Sequence, residues 1–466
     1  MHNDKESLST LTLLDSGLSL QVLQFRGAEG LNRPYRFDIE VIGLAPAMNL
    51  DPLLQQPALL TMGDRTAVHG ILHSASREHR GPHCIGYHLV LVPYLQTLDR
   101  HRCRRVFHHL SVPAILRQLF QEHALPEDSY RLELATVHYP PRPFCIQYEE
   151  SDLTLMQRLC EEEGIHYHFE QRCDGHVLVL ADDSQTFPQE PLVLPFQEDA
   201  PSETSLPVIS ELSQRHSARA LPTRRVANNR GFQASGDGAA NHTLAKTSPF
   251  TGRPAPEQAH REQLSRRSLQ RLRCQHRQIE GRSDHAGLRS GSIVQVMEHP
   301  LSGFNDQWLI TDVQHGGQQP SILADQCPRR YSNQFTAIPW STEFRPALTQ
   351  PRPSIPGYQR ALVLGVAGQP AALDEQHRIH VRLWPALEED ADESIGLWLP
   401  VALATPQGGI DPSSLPLAGT EVLISFLDSD PDRPVLCATV FNPTKPRAAY
   451  QPRSDGRLLL DWLINR

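Results

Sequence analysis

Twenty-six residues, from Phe144 to Phe169, carry the signals of a strand, a capped helix and a second strand in direct succession. At both ends apolar residues alternate with other residues, which is typical of strands with one buried face. Ser151 suits the N-cap of a helix, Asp152 favours its positive end, and Gly164 suits its left-handed stop. Between them an apolar face recurs at helical spacing, formed by Leu153, Met156, Leu159 and Cys160. Read from its residues alone, the segment is structural, with no catalytic constellation.

The same segment contains a longer motif. From Gln147 to Ile165 the chain follows the pattern Gln-Tyr-x-Glu-Ser-Asp, then five variable residues, then Arg-Leu-x-Glu-x-Glu-Gly-Ile. This pattern resembles the signature of the VgrG family, the spike proteins of type VI secretion systems, which are related to the hub and spike of contractile phage tails. The resemblance implies structural roles for Gln147, Tyr148, Glu149, Asp152, Arg158, Leu159, Glu161, Glu163 and Gly164.

Other landmarks of the family follow in order over about residues 10–445. The opening motif is carried by Phe25, Glu29, Pro34 and Phe37, with Asn32 in place of the usual Ser. Two segments after it resemble a long strand, Tyr87–Leu98, and a helix, Phe107–Phe120, with Ser111 as its expected cap. The second barrel of the family is resembled by a basic helix and two strands, at Ala259–Leu272, Gly291–Pro300 and Trp308–His315.

The region Ala361–Asn442 resembles the small OB-like barrel of the spike. Its matching positions are Asp374, Glu375, Arg378, Trp398, Gly419, Glu421, Val422, Asp430, Pro431, Asp432, Arg433, Pro434 and Asn442. The region also departs from the family, because His377 and Ser429 stand where glycine is usual. Pro385 and Leu399-Pro400 are further departures. Loss of glycine from tight turns predicts altered loops.

The fold class implied is mainly β with α+β insertions: two phage-hub-like β-barrels, a small α/β domain and a C-terminal OB-like barrel. The 39 Pro and 28 Gly, with many short alternating runs, independently favour a β-rich chain with many turns. The expected domains are a first hub barrel (1–104), an α/β insertion (105–182), and a crossover with the second barrel and its basic helix (183–340). A proline-rich linker (341–357), the OB-like domain (358–445) and a C-terminal tail (446–466) follow.

Composition excludes several classes. A formal net charge of −9 argues against a general nucleic-acid surface, since such binding depends on neutralising phosphates. The polar N-terminus lacks the apolar core of a signal peptide, and no run reaches the roughly 20 apolar residues of a membrane helix. The eight cysteines form no CxxC pair, which favours reduced thiols. We therefore expect a protein made in the cytoplasm and then translocated through a contractile apparatus without a signal peptide.

No candidate for chemistry is complete. The motifs GxSxG and HExxH and the glycine-rich phosphate loops are absent. Asp428-Ser-Asp430-Pro-Asp432 resembles the start of a calcium loop, but Arg433 and Thr439 stand where glycine and a bidentate Glu are needed. Two-residue sets lack a third metal ligand: His166/His168, His377/His380, His83/Cys84 and Cys274/His276. We expect no enzyme activity, no cofactor and no metal.

The resemblance implies a mechanical function. Three chains would close a homotrimeric ring of six barrels on a hexameric tube protein, with baseplate subunits around it and membrane contact only during puncture. A separate PAAR-like tip or an effector could dock on the OB-like domain or the tail. In the tail, the pattern of Arg457–Arg466 predicts an apolar helical face, which suits either a short packing tail or such a docking segment. The chain ends soon after Asn442, so we expect a short form lacking the C-terminal β-helix. A short spike, a hub that needs another tip subunit and a degenerate copy all remain open.

Three other functions stay as alternatives. The nearest is the hub of a phage tail or related contractile particle, which the residues alone do not separate from a secretion spike. An OB-fold module that binds oligosaccharide or single-stranded nucleic acid would need exposed aromatics among basic residues. Trp384 and Trp398 instead flank the acidic run Glu388–Glu393. A cell-wall hydrolase would need an inserted domain with paired catalytic carboxylates.

Overall fold

The structure is a computed structural model. It describes residues 9–44, 47–62, 66–81, 84–134, 138–198, 207–217, 258–320, 330–384, 396–401 and 415–439. The chain divides into two compact units, the first of Met1–Thr247 and Arg253–Ser354 and the second of Ser248–Gly252 and Ile355–Arg466. Among the described helices, none has the length and apolar character needed to cross a membrane.

The first barrel is closed and is built from the N-terminal strands. They are β1 (Thr10–Leu13), β2 (Ser19–Gly30), β3 (Arg33–Leu44), β4 (Pro57–Thr61), β5 (Ala67–Gly81) and β6 (Cys84–Val92). The strands run in the order β1-β4-β5-β6-β3-β2, and β1 also pairs with β2, which closes the ring. Alternation along β2 and β3 places Phe25, Phe37 and Ile39 in the core.

The α/β insertion follows the first barrel. Its elements are β7 (Arg102–Leu110), α1 (Val112–Glu122), β8 (Tyr130–Glu133), β9 (Arg142–Ser151), α2 (Asp152–Glu163), β10 (His166–Gln171) and β11 (His176–Ala181). Strands β7 and β9 form an antiparallel ribbon, while β10, β11 and β8 form a separate sheet in the order β10-β11-β8. The two strands that flank α2 therefore belong to different sheets. Apolar faces of α1 and α2 share one core with residues of both.

The second barrel has the remaining strands of the first unit. They are β12 (Leu192–Pro195), β13 (Ile209–His216), β14 (Arg277–Ser283), β15 (Ile293–Met297), β16 (Gln307–Gln318) and β17 (Arg330–Pro339), with helix α3 (Gln258–His276) before β14. They run in the order β12-β15-β16-β17-β14-β13, and a bridge between Phe196 and Ile209 nearly closes the ring. Antiparallel pairing of β2 with β16 joins both barrels into one 12-stranded sheet.

The second unit contains a five-stranded sheet. Its strands are β18 (Tyr358–Val363), β19 (Arg378–Leu383), β20 (Leu397–Pro400), β21 (Glu421–Phe426) and β22 (Pro434–Thr439). They run in the order β20-β19-β18-β21-β22. A bridge between Val401 and Leu436 brings the two ends of this order together. This closure is consistent with the small OB-like barrel expected from the sequence.

The structure confirms the expected limits of α2. Ser151 is the N-cap and accepts a hydrogen bond from the Thr154 N–H at 3.3 Å. Gly164 ends the helix with φ 70° and ψ 24°, in the left-handed region. The basic helix is also present, and α3 is longer than expected at both ends.

Three expectations about local structure need correction. The strand expected over Tyr87–Leu98 ends at Val92, and a 3-10 turn follows Pro93, which cannot donate to a ladder. The helix expected over Phe107–Phe120 begins only at Val112, because the residues up to Leu110 pair with β9. Ser111 is its N-cap position but makes no side-chain capping bond.

The expected proline-rich linker is also different. Most of the segment from residue 341 belongs to the first unit, which extends to Ser354. Arg345 donates to Gln270 of α3, and the backbone N–H groups of Thr349 and Gln350 donate to Glu161 of α2. Proline restricts the segment to an extended path, and these contacts hold that path against the helices.

Candidate functional site

The carboxylates of the α2 motif form a buried ionic network, which begins at Asp152. Its Oδ1 accepts from Arg105 of β7 at 2.7 Å and from the Gln147 amide at 2.8 Å. Its Oδ2 lies 2.7 Å from Nε2 of His123, at the end of α1. Asp152 also occupies the first turn of α2, where a negative charge is favoured. One carboxylate thus connects β7, α1, β9 and the start of α2.

Arg158 and Glu150 form the central ion pair of the network. Arg158 Nη2 lies 2.5 Å from Glu150 Oε1, and both side chains are more than nine-tenths buried. Arg158 also donates to the Ile146 carbonyl at 3.3 Å. Burial raises the pKa of Glu150 more than the adjacent guanidinium lowers it. A buried charge pair of this kind specifies geometry, because removal of one partner leaves the other without compensation.

Glu163, at the last turn of α2, connects the helix to α3. Arg142 of β9, Arg267 and His260 lie 2.9, 3.3 and 3.0 Å from its carboxylate oxygens. Burial alone would raise the pKa of Glu163, but the hydrogen bond from His260 and the charge of Arg142 lower it to about 2. Glu163 is therefore ionised throughout the neutral range.

Glu161 and its neighbour Glu162 hold the segment that leads out of the first unit. Glu161 accepts from the Thr349 N–H at 2.7 Å and from the Gln350 N–H at 2.8 Å. Glu162 lies 3.0 Å from Arg142 and 3.2 Å from Arg352. The adjacent Gly164 leaves no room for a larger residue, because an added Cβ would lie 2.8 Å from Cδ of Arg267.

The other motif residues of the α2 segment have separate surroundings. Leu159 is fully buried in the core shared with α1. Glu149 is the extra residue of a bulge in β9, with φ 51°, and its carboxylate contacts Arg104. The Arg104 guanidinium also lies 4.9 Å above the ring of Tyr148.

A second buried ionic cluster lies where the two barrels meet. Glu29 of β2 contacts Arg289 from the second barrel, whose Nη2 also donates to the Ala67 carbonyl at 2.9 Å. His315 of β16 lies 3.5 Å from the same carboxylate. Burial would raise the pKa of Glu29, but Arg289 and His315 lower it to about 2. Glu29 is therefore an ionic link across the barrel junction.

The remaining residues of the N-terminal motif lie in the first barrel. Phe25 and Phe37 lie in the first barrel's core with ring centroids 6.5 Å apart, and Pro34 lies in β3. His315 stacks on Phe37, with centroids 5.6 Å apart. The motif therefore combines core aromatics with the junction carboxylate.

In the second unit, the matching residues lie in turns and in strands. Asp374 Oδ1 accepts from the N–H groups of Gln376 and Arg378, and its Oδ2 lies 2.7 Å from Arg378 Nε. Glu375 is exposed, and Trp398 stacks on His380 with centroids 4.7 Å apart. Gly419 has φ 82°, Glu421 begins β21, and Val422 is fully buried. Asn442 lies outside the described residues.

Two turns keep a left-handed backbone without glycine. His377 has φ 58° and Ser429 has φ 57°. Within the segment Asp430–Pro434, Asp430 accepts from the Asp432 N–H, and Pro434 begins β22. The Arg433 guanidinium lies 2.5 Å from the Asp428 carboxylate, where a calcium loop would need an unpaired oxygen.

The expected two-residue metal sets gain no third ligand among the described residues. His166 and His168 have ring centroids 6.4 Å apart, and His166 Nε2 lies 3.2 Å from the Thr186 hydroxyl. In the described part of the chain, the one group of potential ligands that comes close together is Glu40, Glu78 and His88. Arg80 contacts both carboxylates of that group and supplies a positive charge there. His83 lies outside the described residues.

Sequence reasoning missed the cations of these networks. Arg142, Arg267 and His260 surround Glu163, and Arg289 faces Glu29. The partners are far apart in the chain, for example 97 residues between His260 and Glu163. No local sequence pattern identifies the partner of such a residue. Charged residues within the apolar face of a helix such as α2 do indicate that they form buried ion pairs.

Comparison with known proteins gives the family. The model of the phage tail baseplate hub (GPD) matches residues 28–321, more than half of the chain. Type VI secretion system spike proteins VgrG4b and VgrG5 of Pseudomonas aeruginosa are 35% and 36% identical over 459 residues. These alignments cover 94% and 92% of this chain but 56% and 57% of the relatives, so the chain spans just over half their length.

Solved structures show the same fold. An E. coli component of the type VI secretion system, described as similar to T4 phage tail proteins gp27 and gp5, has a TM-score of 0.67 at 24% identity. The match covers 90% of this chain and 97% of that one. A Francisella PdpA–VgrG complex gives 0.60 at 9% identity, covering 96% and 73%. With its paired barrels, the chain belongs to the phage tail baseplate hub family and is similar to VgrG spike proteins.

Proposed function

We propose that the protein is a structural hub and spike component of a type VI secretion apparatus and that it acts as a homotrimer. The observation that carries the proposal is the pair of barrels with one strand order, joined edge to edge in a single sheet. Three copies supply six barrels, which matches the symmetry of a hexameric tube. Such a ring needs heterologous contacts that close after three steps.

The buried networks fit a protein that carries force rather than one that turns over a substrate. Asp152, Glu161 and Glu163 connect α2 to strands, a second helix and the segment after β17. Each bond restricts relative movement of the elements it joins. We propose that the motif residues are structural and that the chain has no catalytic activity. The Vibrio cholerae relative named actin cross-linking toxin VgrG1 is matched over only 42% of its length.

The proposed partners follow from this role. The hub would rest on the hexameric tube protein and contact baseplate subunits, and a separate PAAR-like tip or an effector would dock on the OB-like domain or the tail. Assembly would occur in the cytoplasm and translocation would follow contraction. The division 1–104, 105–182, 183–340, 341–357, 358–445 and 446–466 remains our proposed domain plan. In this plan the 341–357 segment connects the first unit to the second and is held by hydrogen bonds to α2 and α3.

The mass of the purified full chain, measured by light scattering, tests the proposal. We expect three times 52.3 kDa. A stable monomer at micromolar concentration would refute the homotrimeric hub. In cells that carry a type VI system, deletion of the gene should abolish release of the tube protein into the medium, and complementation should restore it.

The phage tail hub is the second candidate, because the matching family model describes that protein. Purification of intact particles separates the two. Co-purification with phage heads would identify a phage tail, whereas recovery only with contractile sheaths anchored to membranes would identify the secretion apparatus.

A further inference from the structure

The two barrels of the first unit are internal repeats with the same pairing order. The order β1-β4-β5-β6-β3-β2 in the first barrel corresponds strand by strand to β12-β15-β16-β17-β14-β13 in the second. In this correspondence β2 is equivalent to β13, and β5 is equivalent to β16. The equivalence therefore shows which strand edge of the second barrel corresponds to each strand edge of the first.

Two pairs of β-bulges set the register of the equivalence to single residues. One extra residue in β2, Leu23, interrupts pairing with β3, and Ser210 does the same between β13 and β14. Likewise His73 interrupts pairing between β5 and β6, and Thr311 interrupts pairing between β16 and β17. Bulges are specific local features, so their recurrence at equivalent strands aligns Leu23 with Ser210 and His73 with Thr311.

The junction between the barrels uses defined halves of these strands. The first half of β16, Gln307–Leu309, pairs with β15. Beyond its bulge, the residues from Asp312 to Gln318 pair antiparallel with the residues from Gly30 back to Gln24 of β2. At the junction, β2 of the first barrel therefore pairs with the half of β16 that β15 leaves unpaired.

The equivalent half of β5 has no strand beside it among the described residues. β5 pairs with β4 only from Ala67 to Ile71, and its far half pairs with β6 on one side alone. β13 is likewise open on the side away from β14 from Glu211 to His216, within the described part of the chain. Side chains on both open edges include the exposed Ser76, Arg80, Glu211 and Arg215.

We propose that β13 of one copy pairs antiparallel with the far half of β5 in the next copy and repeats the β2–β16 junction between subunits. The proposal rests on the homotrimer proposed above. Transferring the observed register through the two pairs of bulges places Ser76 opposite Arg215. It places Arg80, the extra residue of a second bulge between β5 and β6, opposite Glu211. Three such junctions and three internal ones join six barrels through equivalent contacts.

Charge and edge chemistry agree with this register. Arg80 and Glu211 carry opposite charges, which favours direct cross-strand pairing. Within one copy Arg80 contacts Glu40 and Glu78, and Glu211 lies 2.9 Å from Arg282, so the junction would extend existing ion pairs into one network. Charged residues on an open edge also protect a free monomer against indiscriminate strand pairing.

Paired cysteines test the register. In a Cys173→Ser background, which removes the exposed native thiol, Ser76→Cys is combined with Arg215→Cys in the full chain. Opposed residues of an antiparallel pair lie within the Cα distance that a disulfide requires. After mild oxidation we expect disulfide-linked dimers and trimers on non-reducing gels, and none from either single variant.

The matched control combines Ser76→Cys with Gln214→Cys. Gln214 precedes Arg215, so its side chain points to the opposite side of the sheet. Equal cross-linking in the control would overturn the register. A trimer by light scattering without cross-linking in the test pair would overturn the strand junction and leave the homotrimer intact, whereas a monomer would overturn both.

Amide exchange of the unmodified protein gives an independent readout that needs no substitution. The junction predicts that residues 211–216 of β13 exchange as slowly as the internally paired residues of β14. Peptides covering residues 74–80 of β5 should be protected in the same way. Rapid exchange in both segments of a trimeric sample would overturn the proposal.

Discussion

Acidification should destabilise the first unit through His176, a buried histidine of β11 that is 4% exposed. Its Nε2 accepts the backbone N–H of Tyr94 at 3.1 Å, and its ring stacks on Tyr94 with centroids 4.8 Å apart. Protonation would put a hydrogen on the accepting nitrogen and a charge in an apolar site. Burial and, to a smaller extent, the charge of nearby His69 lower the pKa of His176 to about 3.

The sign and size of the effect follow from proton linkage. The unfolded chain, with a histidine pKa of about 6.5, binds the proton more readily than the folded chain does. Stability contributed by neutral His176 is therefore complete above pH 6.5 and is lost progressively as pH falls towards 3. Between pH 7 and pH 4.5 the loss is about 2.5 kcal/mol. Burial lowers the pKa of His166 as well, so it acts in the same direction.

Urea denaturation at several pH values measures this loss. The unfolding of the first unit is monitored by pulsed amide exchange in β10 and β11 peptides. His176→Gln keeps an acceptor but removes the titration, so its unfolding free energy should fall by about 2.5 kcal/mol less than the wild type between pH 7 and 4.5. The matched control is His101→Gln at an exposed position, which should change nothing. Identical pH dependence in wild type and His176→Gln would refute the reasoning.

Three further predictions concern backbone strain and buried charge, all measured as unfolding free energies. Gly164→Val should cost about 2 kcal/mol or more, because φ is 70° and its Cβ would meet Arg267, and unchanged stability would contradict the helix-stop assignment. Ser429→Gly should stabilise the second unit by about 0.5 kcal/mol by relieving a left-handed backbone, and a loss would contradict the strain. Glu29→Gln should cost about 3 kcal/mol by leaving Arg289 without its counter-charge, whereas Glu375→Gln, at an exposed site, should be neutral.

Local signals predicted local structure well. Ser151 and Gly164 mark the two ends of α2, as their side-chain and backbone preferences require. Ser111 shows the limit of such reasoning, because the same residue type occupies an N-cap position without making the capping bond. A serine at the N-cap position favours a capping hydrogen bond, but the bond forms only when the side chain has the required geometry.

Tertiary contacts were beyond the reach of local patterns. The segment around Gln350 is rich in proline and was expected to be a spacer, yet its backbone donates to Glu161, nearly 190 residues earlier in the chain. Similarly, the motif marked Glu163 but not Arg267 or His260. A family motif records one side of such a network when the partner residues lie in less distinctive sequence.

The attachment of residues 349–352 to α2 also determines where tension enters the first unit. A pull on Ile355 would first load Arg352, Gln350 and Thr349, whose bonds end on Glu161 and Glu162. Glu162 is in turn paired with Arg142 of β9, so the load would pass through the helix to β9 before it reached the end of β17. The bonds between residues 349–352 and α2 would therefore bear the tension first. The hydrogen bonds between β17 and its neighbouring strands in the second barrel would be loaded only after those bonds had broken.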